Sequence, residues 1–307
     1  TKAGSVRMAE VLYPRLLRGD DPRLVLYEIR RQLFMLAERD HDWASLVAYS
    51  TVPGNFDDQV MTFFERQMQR AITVGLNRAD NAGNDAEMNI ALNASRKMVD
   101  LWKNRLPSGD GMKDRARRAE CYGIHGSTWK RIGLLHYGKE KTTEGSKALE
   151  ASLAWYRKSM EQWSMDEDKF HWVATQALSL MTVLRQAREP TTFLMARQLA
   201  ERDLAKSEGS RKAWAHGTLA ELEMLATYHT PDKVARNVKK KVRDHCKAIV
   251  ELMGERSFEA DSTRRQFQRY IDYWGRKKEE WRSIAKEAVS ALSPPGGLGQ
   301  SELPPYA

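Results

Sequence analysis

Residues 120–133, ECYGIHGSTWKRIG, and 150–163, EASLAWYRKSMEQW, decide the fold. Each reads as a helix. In the first, Tyr122, Gly126 and Trp129 are spaced four then three apart, and Ser152, Tyr156 and Ser159 repeat that spacing in the second. Residues three or four apart share a helix face. Small residues on such a face let two helix axes approach closely, and an aromatic ring fills the adjacent groove. The two stretches are therefore expected to cross, with Gly126 where they come closest.

Working outward, the same pairing recurs. FHWVATQALSLMTVL (170–184) with FLMARQLAERDLAKS (193–207) reads as a second pair, and SRKAWAHGTLAELEML (210–225) with KVARNVKKKVRDHCKAIV (233–250) as a third. Helical periodicity predicts further helices at about 56–76, 86–105, 113–137, 257–274 and 276–292, with Asn55 as N-cap of the first. Breaks fall at Pro190, Gly209-Ser210, Thr230-Pro231, Gly254 and Gly275. The stretch 138–146 reads as a loop longer than a tight turn. The tail beyond Ser293 is rich in Pro and Gly and is expected to be disordered.

Ahead of residue 55 the pattern changes. Helices are expected at 5–18 and 22–38, then a strand from Trp43 to Tyr49 ending at Pro53-Gly54. A lone strand cannot satisfy its backbone groups, so this one calls for a sheet outside the chain. The expected fold is mainly α: an antiparallel helix-pair, tetratricopeptide-like solenoid preceded by a small α/β piece with one strand. Its parts are a segment over 1–54, the repeats over 55–292 and the tail over 293–307.

Two family resemblances bear on this. CYGIHGSTWKRIG with ALEASLAWYRKSMEQW resembles the TRAF-binding, tetratricopeptide-like regulatory region of the apoptosis signal-regulating kinase family and its bacterial relatives. Gly126, Trp129, Lys130 and Arg131 match one helix, and Ala154 to Ser159 the next, over about 120–185. MAEVLYPRLLRGDDPRLVLYEIRRQLFMLAERDHDWASLVAYS is similar to the C-terminal end of a CHAT domain, a caspase-like peptidase fold. There the match is carried by Leu12, Tyr13, Leu16, Leu17 and Gly19, then Leu26 to Leu36, then Asp42 to Tyr49, within residues 5–51. This second resemblance implies that the strand joins the peptidase's central sheet, and that the family's catalytic His and Cys lie upstream of these residues. The lack of a starting Met also suggests a processed fragment of a longer protein.

The chemistry in the chain itself is sparse. A cysteine peptidase needs a thiol beside a base. His245 adjoins Cys246, but neighbours on a helix point about 100° apart. His125 shares a face with Cys121, yet no oxyanion-hole turn accompanies them. There is no CxxC, no HExxH and no phosphate-binding glycine loop, so no catalytic residue, metal or cofactor is expected. The seven His are scattered.

The net charge of +9 is spread thinly over RARR at 115–118, KKKVR at 239–243 and RKK at 276–278. A basic nucleic-acid-sensing scaffold is thus an alternative to protein recognition, with nucleic acid the less favoured partner. Candidate partner-binding residues are Trp172 and Trp214, in the stretches HWVATQ and WAHGT that would face a groove for an extended peptide, and the basic Lys239, Lys240 and Arg243. Two cysteines suit a reducing, cytoplasmic setting, and no apolar run is long enough to span a membrane. The leading expectation is a non-catalytic interaction and regulatory portion of a bacterial CHAT-type peptidase, meeting an upstream caspase-like segment or a peptide ligand. A subunit that completes the active peptidase fold with an upstream chain is the enzyme-class alternative.

Overall fold

The structure is a computed structural model describing residues 2–36, 55–163, 169–231, 237–274 and 279–293. It is mainly helical, and among the described residues there is no strand. The strand expected at Trp43–Tyr49, and the tail from residue 294, lie outside the described residues. The chain divides into two compact units, Thr1–Arg105 and Leu106–Ala307.

The first unit holds α1 (Lys2–Leu17), α2 (Pro22–Leu36), α3 (Phe56–Asp80) and α4 (Asp85–Lys103). Val25, Ile29 and Leu33 of α2 are buried against Met8, Val11 and Leu12 of α1. Gly19 takes a left-handed backbone (φ 78°) that ends α1, returning the Gly19 and Asp20 amides to the Leu16 and Arg15 carbonyls at 2.9 and 3.0 Å. Phe64, Met68, Ile72 and Leu76 form the buried face of α3, and Met88, Leu92, Val99 and Trp102 that of α4. Asn84 caps α4 by accepting the Glu87 amide at 2.9 Å, and Glu87 accepts the Gly83 amide at 3.1 Å. Asn55 does not cap α3 in this way. Its side-chain oxygen accepts from the Gln59 amide group at 3.0 Å, leaving the backbone donors of the first turn to others.

The second unit holds α5 (Met112–Gly138), α6 (Thr142–Gln162), α7 (Phe170–Val183), α8 (Pro190–Lys206), α9 (Gly209–His229), α10 (Val238–Met253), α11 (Phe258–Arg269) and α12 (Glu279–Leu292). Each helix packs on the next in sequence. In addition α7 touches α9, α9 touches α11, and α10 touches α12. The loop expected at 138–146 is only a turn over 139–141. Glu140 enters the left-handed region (φ 61°), the Lys141 amide returns to the His136 carbonyl at 2.9 Å, and Tyr137 and Ser146 hydroxyls meet at 2.7 Å. These contacts let α6 start four residues earlier than its apolar pattern suggests.

Helix α7, and α9 over Thr218–Ala226, are buried on nearly all sides. Their small and apolar side chains permit this. The hydroxyls of Thr175 and Thr182 donate back to the His171 and Leu178 carbonyls, both at 2.8 Å, so they enter the core already paired. At its end α11 widens into a π turn, Tyr270–Trp274. That turn brings Tyr270 edge-on to Trp274 and to Trp281 of α12, at 5.0 and 5.8 Å between ring centres.

Candidate functional site

Helices α5 and α6 meet through the residues whose spacing predicted the pair. Gly126 lies under the Tyr156 ring so closely that an added Cβ would sit 2.8 Å from two ring carbons. The flanking serines of α6 tie the crossing to α5 backbone. Ser152 donates to the Gly126 carbonyl and Ser159 to the Ala119 carbonyl, both at 2.6 Å. On the outer side of the same pair, Trp155 stacks on His125 (4.1 Å) and leans on Tyr122 (5.5 Å), with the Lys158 amine 4.5 Å from the indole centre.

Behind Tyr156 runs a buried polar line that crosses alternate helices. Lys130 of α5 donates to the side-chain oxygens of Gln176 of α7 and Gln266 of α11, the latter at 3.2 Å. Glu221 of α9 accepts from Gln176 at 3.3 Å, from Gln266 at 2.7 Å and from the Tyr270 hydroxyl at 2.7 Å. Tyr270 also meets Ser179 at 2.6 Å, and Arg269 donates to Gln266 at 2.5 Å. All but Arg269 are buried. Burial pushes the Lys130 amine well below its usual range, Arg269 adds repulsion, and Glu221 pulls the other way. Burial likewise raises the Tyr270 phenol, with the Glu221 charge adding to it. The polar atoms here hold one another, so the line acts as a cross-brace among four helices that are distant in sequence. The Tyr156 hydroxyl is buried beside it, with no hydrogen-bond partner among the described residues.

Two further clusters have catalytic-looking members. His171 lies between Thr218 (Nδ1 to Oγ1, 3.2 Å) and Asp203 (Nε2 to Oδ2, 3.4 Å), an order of groups that resembles a nucleophile–base–acid relay. All three are buried, and Asp203 is shared with Arg211 at 2.6 Å and Ser207 at 2.8 Å. The geometry joins α7, α8 and α9 and offers Thr218 to no substrate. His216 of α9 and His245 of α10 bring their Nδ1 atoms to 2.9 Å. Burial lowers both, each other's proximity adds for His216, and His216 falls to about 4. Both thiols are buried. Cys246 is pushed up by desolvation, which suppresses the reactive thiolate. Among the described residues no group of three or more His, Cys, Asp or Glu converges as metal ligands would.

The partner-binding residues expected from sequence lie apart in the fold. Trp172 is partly buried, over Gly123 and edge-on to Tyr156 at 6.3 Å. The rest of HWVATQ is interior, so that stretch is occupied by packing. Trp214 meets Phe258 edge-on at 5.8 Å near the surface. Lys239 and Lys240 are exposed on α10, while Arg243 pairs with Glu287 of α12 at 3.1 Å. Sequence reasoning missed Gln176, Glu221 and Gln266. A signal existed for two of them: Gln176 and Glu221 are long polar residues on faces where apolar neighbours recur, in HWVATQALSL and GTLAELEML, whereas Gln266 stands in the polar run RRQFQR.

Among the described residues no helix is long and apolar enough to cross a membrane. No protein-family model matches the chain, and comparison with curated proteins and with solved structures returned no match.

Proposed function

We propose that this chain is a non-catalytic interaction and regulatory portion of a CHAT-type, caspase-like cysteine peptidase, with α5–α12 serving as a tetratricopeptide-like helical-repeat scaffold. The observation that carries the reading is the α5–α6 crossing. Gly126 on one helix and Tyr156 and Ser159 on the other, residues of the likeness to the TRAF-binding, tetratricopeptide-like regulatory region, meet at the helix crossing, with Ser152 beside them. The stepwise contacts of α7 with α9, α9 with α11 and α10 with α12 fit stacked helix pairs. Bracing by the buried Lys130–Glu221 line suits a rigid scaffold that presents a fixed surface. Trp214, Lys239 and Lys240 are the outward groups of that surface.

The test is reconstitution. The polypeptide encoded immediately ahead of Thr1 is expressed separately and mixed with this chain, and binding is followed by calorimetry. A caspase-like segment that binds with micromolar affinity or better, and whose peptidase rate changes on binding, supports the reading. An upstream segment with no caspase-like sequence, or one that shows no binding, overturns it.

A further inference from the structure

Two imidazoles face each other across the contact of α9 with α10. The Nδ1 atoms of His216 and His245 lie 2.9 Å apart, with ring centres 5.2 Å apart and ring planes inclined by 52°. Between two neutral rings this contact is a hydrogen bond, in which one Nδ1 donates its proton and the other accepts. Both rings are half-buried, so the pair is reached from solvent. Neutral imidazole is also the commonest metal ligand. A tetrahedral zinc held by two ring nitrogens at about 2.05 Å sets the ring centres about 5.2 Å apart and the nitrogens about 3.35 Å apart. The ring centres of His216 and His245 already have that separation. Swinging each ring by about 35° about its centre parts the nitrogens by the needed distance and turns both lone pairs on one point. Neither helix has to move.

We propose that His216 and His245 form a surface zinc site that clips α9 to α10, with water in the two remaining tetrahedral positions. On binding, the Nδ1 proton of the donor ring moves to its own Nε2, so each ring offers a lone pair and no net proton is released. The donor set selects the metal. Two imidazole nitrogens suit zinc and its first-row neighbours, whereas Mg²⁺ and Ca²⁺ need oxygen ligands. The surrounding charges set the strength. Glu223 and Asp244 attract a cation, while Lys212, Lys241 and Arg197 repel it, and Glu223 already holds Arg197 and Lys241 at 2.6 and 3.4 Å. Among the described residues no third His, Cys, Asp or Glu joins the pair. The site is therefore open and exchangeable, unlike a closed four-ligand structural zinc. This inference stands on the α9–α10 contact and is independent of what the repeat scaffold recognises.

The experiment adds zinc chloride to the whole chain at neutral pH, with calorimetry for the stoichiometry and NMR of nitrogen-15-labelled histidines for the ligands. One zinc per chain is expected, with the ring signals of two of the seven histidines shifted. His216→Ala and His245→Ala should each weaken binding at least roughly tenfold, while His136→Ala, on α5, should leave it unchanged. Zinc should raise the melting temperature of the parent and of neither pair variant. Magnesium chloride at the same concentration should neither shift the histidines nor raise the melting temperature. Circular dichroism checks that the variants fold, and the NMR measurement needs no variant. An absence of zinc-dependent heat and of histidine shifts overturns the proposal. Binding undiminished in either pair variant, or shifts confined to other histidines, places zinc elsewhere and also overturns it.

Discussion

Replacing Gly126 with alanine tests the α5–α6 crossing at a single methyl group. The new Cβ would lie 2.8 Å from two carbons of the Tyr156 ring and 2.9 Å from a third. Carbon atoms in good contact sit about 3.5–4.0 Å apart, so ring or helix must yield by roughly 0.7 Å. The ring has little room. Tyr156 is fully buried, its edge meets Trp172, and the Lys130 amine sits 5.9 Å from its centre. Overpacking of this kind costs about 1–3 kcal/mol. Against it stands the helix-propensity gain of glycine to alanine, about 1 kcal/mol. The net is a loss of up to about 2 kcal/mol, or up to roughly 8 °C in Tm for a unit of this size. Gly126→Leu should lose more. Gly138, exposed and with Tyr273 Oη 3.5 Å from its would-be Cβ, is the control, and Gly138→Ala should be neutral or slightly stabilising. Thermal and urea melts followed by circular dichroism decide it. A Gly126→Ala protein more stable than the parent by about 1 kcal/mol refutes the crossing, because the propensity gain would then be unopposed.

The two tyrosines beside the polar line should respond oppositely to losing a hydroxyl. Tyr156→Phe removes a buried, unpartnered group and should leave stability equal or higher, whereas Tyr270→Phe abandons Ser179 and Glu221 and should cost about 1–3 kcal/mol in urea melts. Glu221→Leu strands three donors and should cost roughly 3–5 kcal/mol, while adding Lys130→Met should recover part of that loss rather than add to it, a double-mutant cycle being the measure. His216 and His245 are lowered in the folded chain, His216 to about 4, so the unfolded chain binds more protons below about pH 6.5, and stability should fall as pH drops from there. The slope is at most about 1.4 kcal/mol per pH unit for each histidine, less for the partly exposed His216, and His245→Gln should flatten it in melts at pH 7.5 and 5.

Helix positions were legible because apolar spacing and turn chemistry agree locally, as at Pro190, which opens α8, and Gly254, which follows α10 with φ 86°. The start of α6 was not. Glu140 is an ordinary residue in a left-handed turn, which the neighbouring helix ends impose and sequence preference does not announce. The crossing at Gly126 was legible for a different reason: close approach admits only small residues, so the constraint is written in residue size. The polar line as a whole was not legible: its members are scattered from Lys130 to Gln266, and nothing in the sequence pairs a buried Gln176 or Glu221 with the others. Only the contacts of α9 with both α7 and α11 show that these faces turn inward.

That inward turn bears on how such a unit can recognise anything. A groove along α7 and α9 would need side chains able to leave the interior. Gln176 and Glu221 are instead held by two and three hydrogen-bond partners respectively, and an opening at that face would strand several of them together. Each stranded buried group costs about 1–3 kcal/mol, so opening the line there approaches the stability of an entire domain. On the proposed reading as an interaction module, recognition falls to surfaces that need no opening. In the second unit these are the Trp214–Phe258 edge and the exposed lysines of α10. A partner at any of these surfaces is met by a preformed surface, whose backbone should move little on binding.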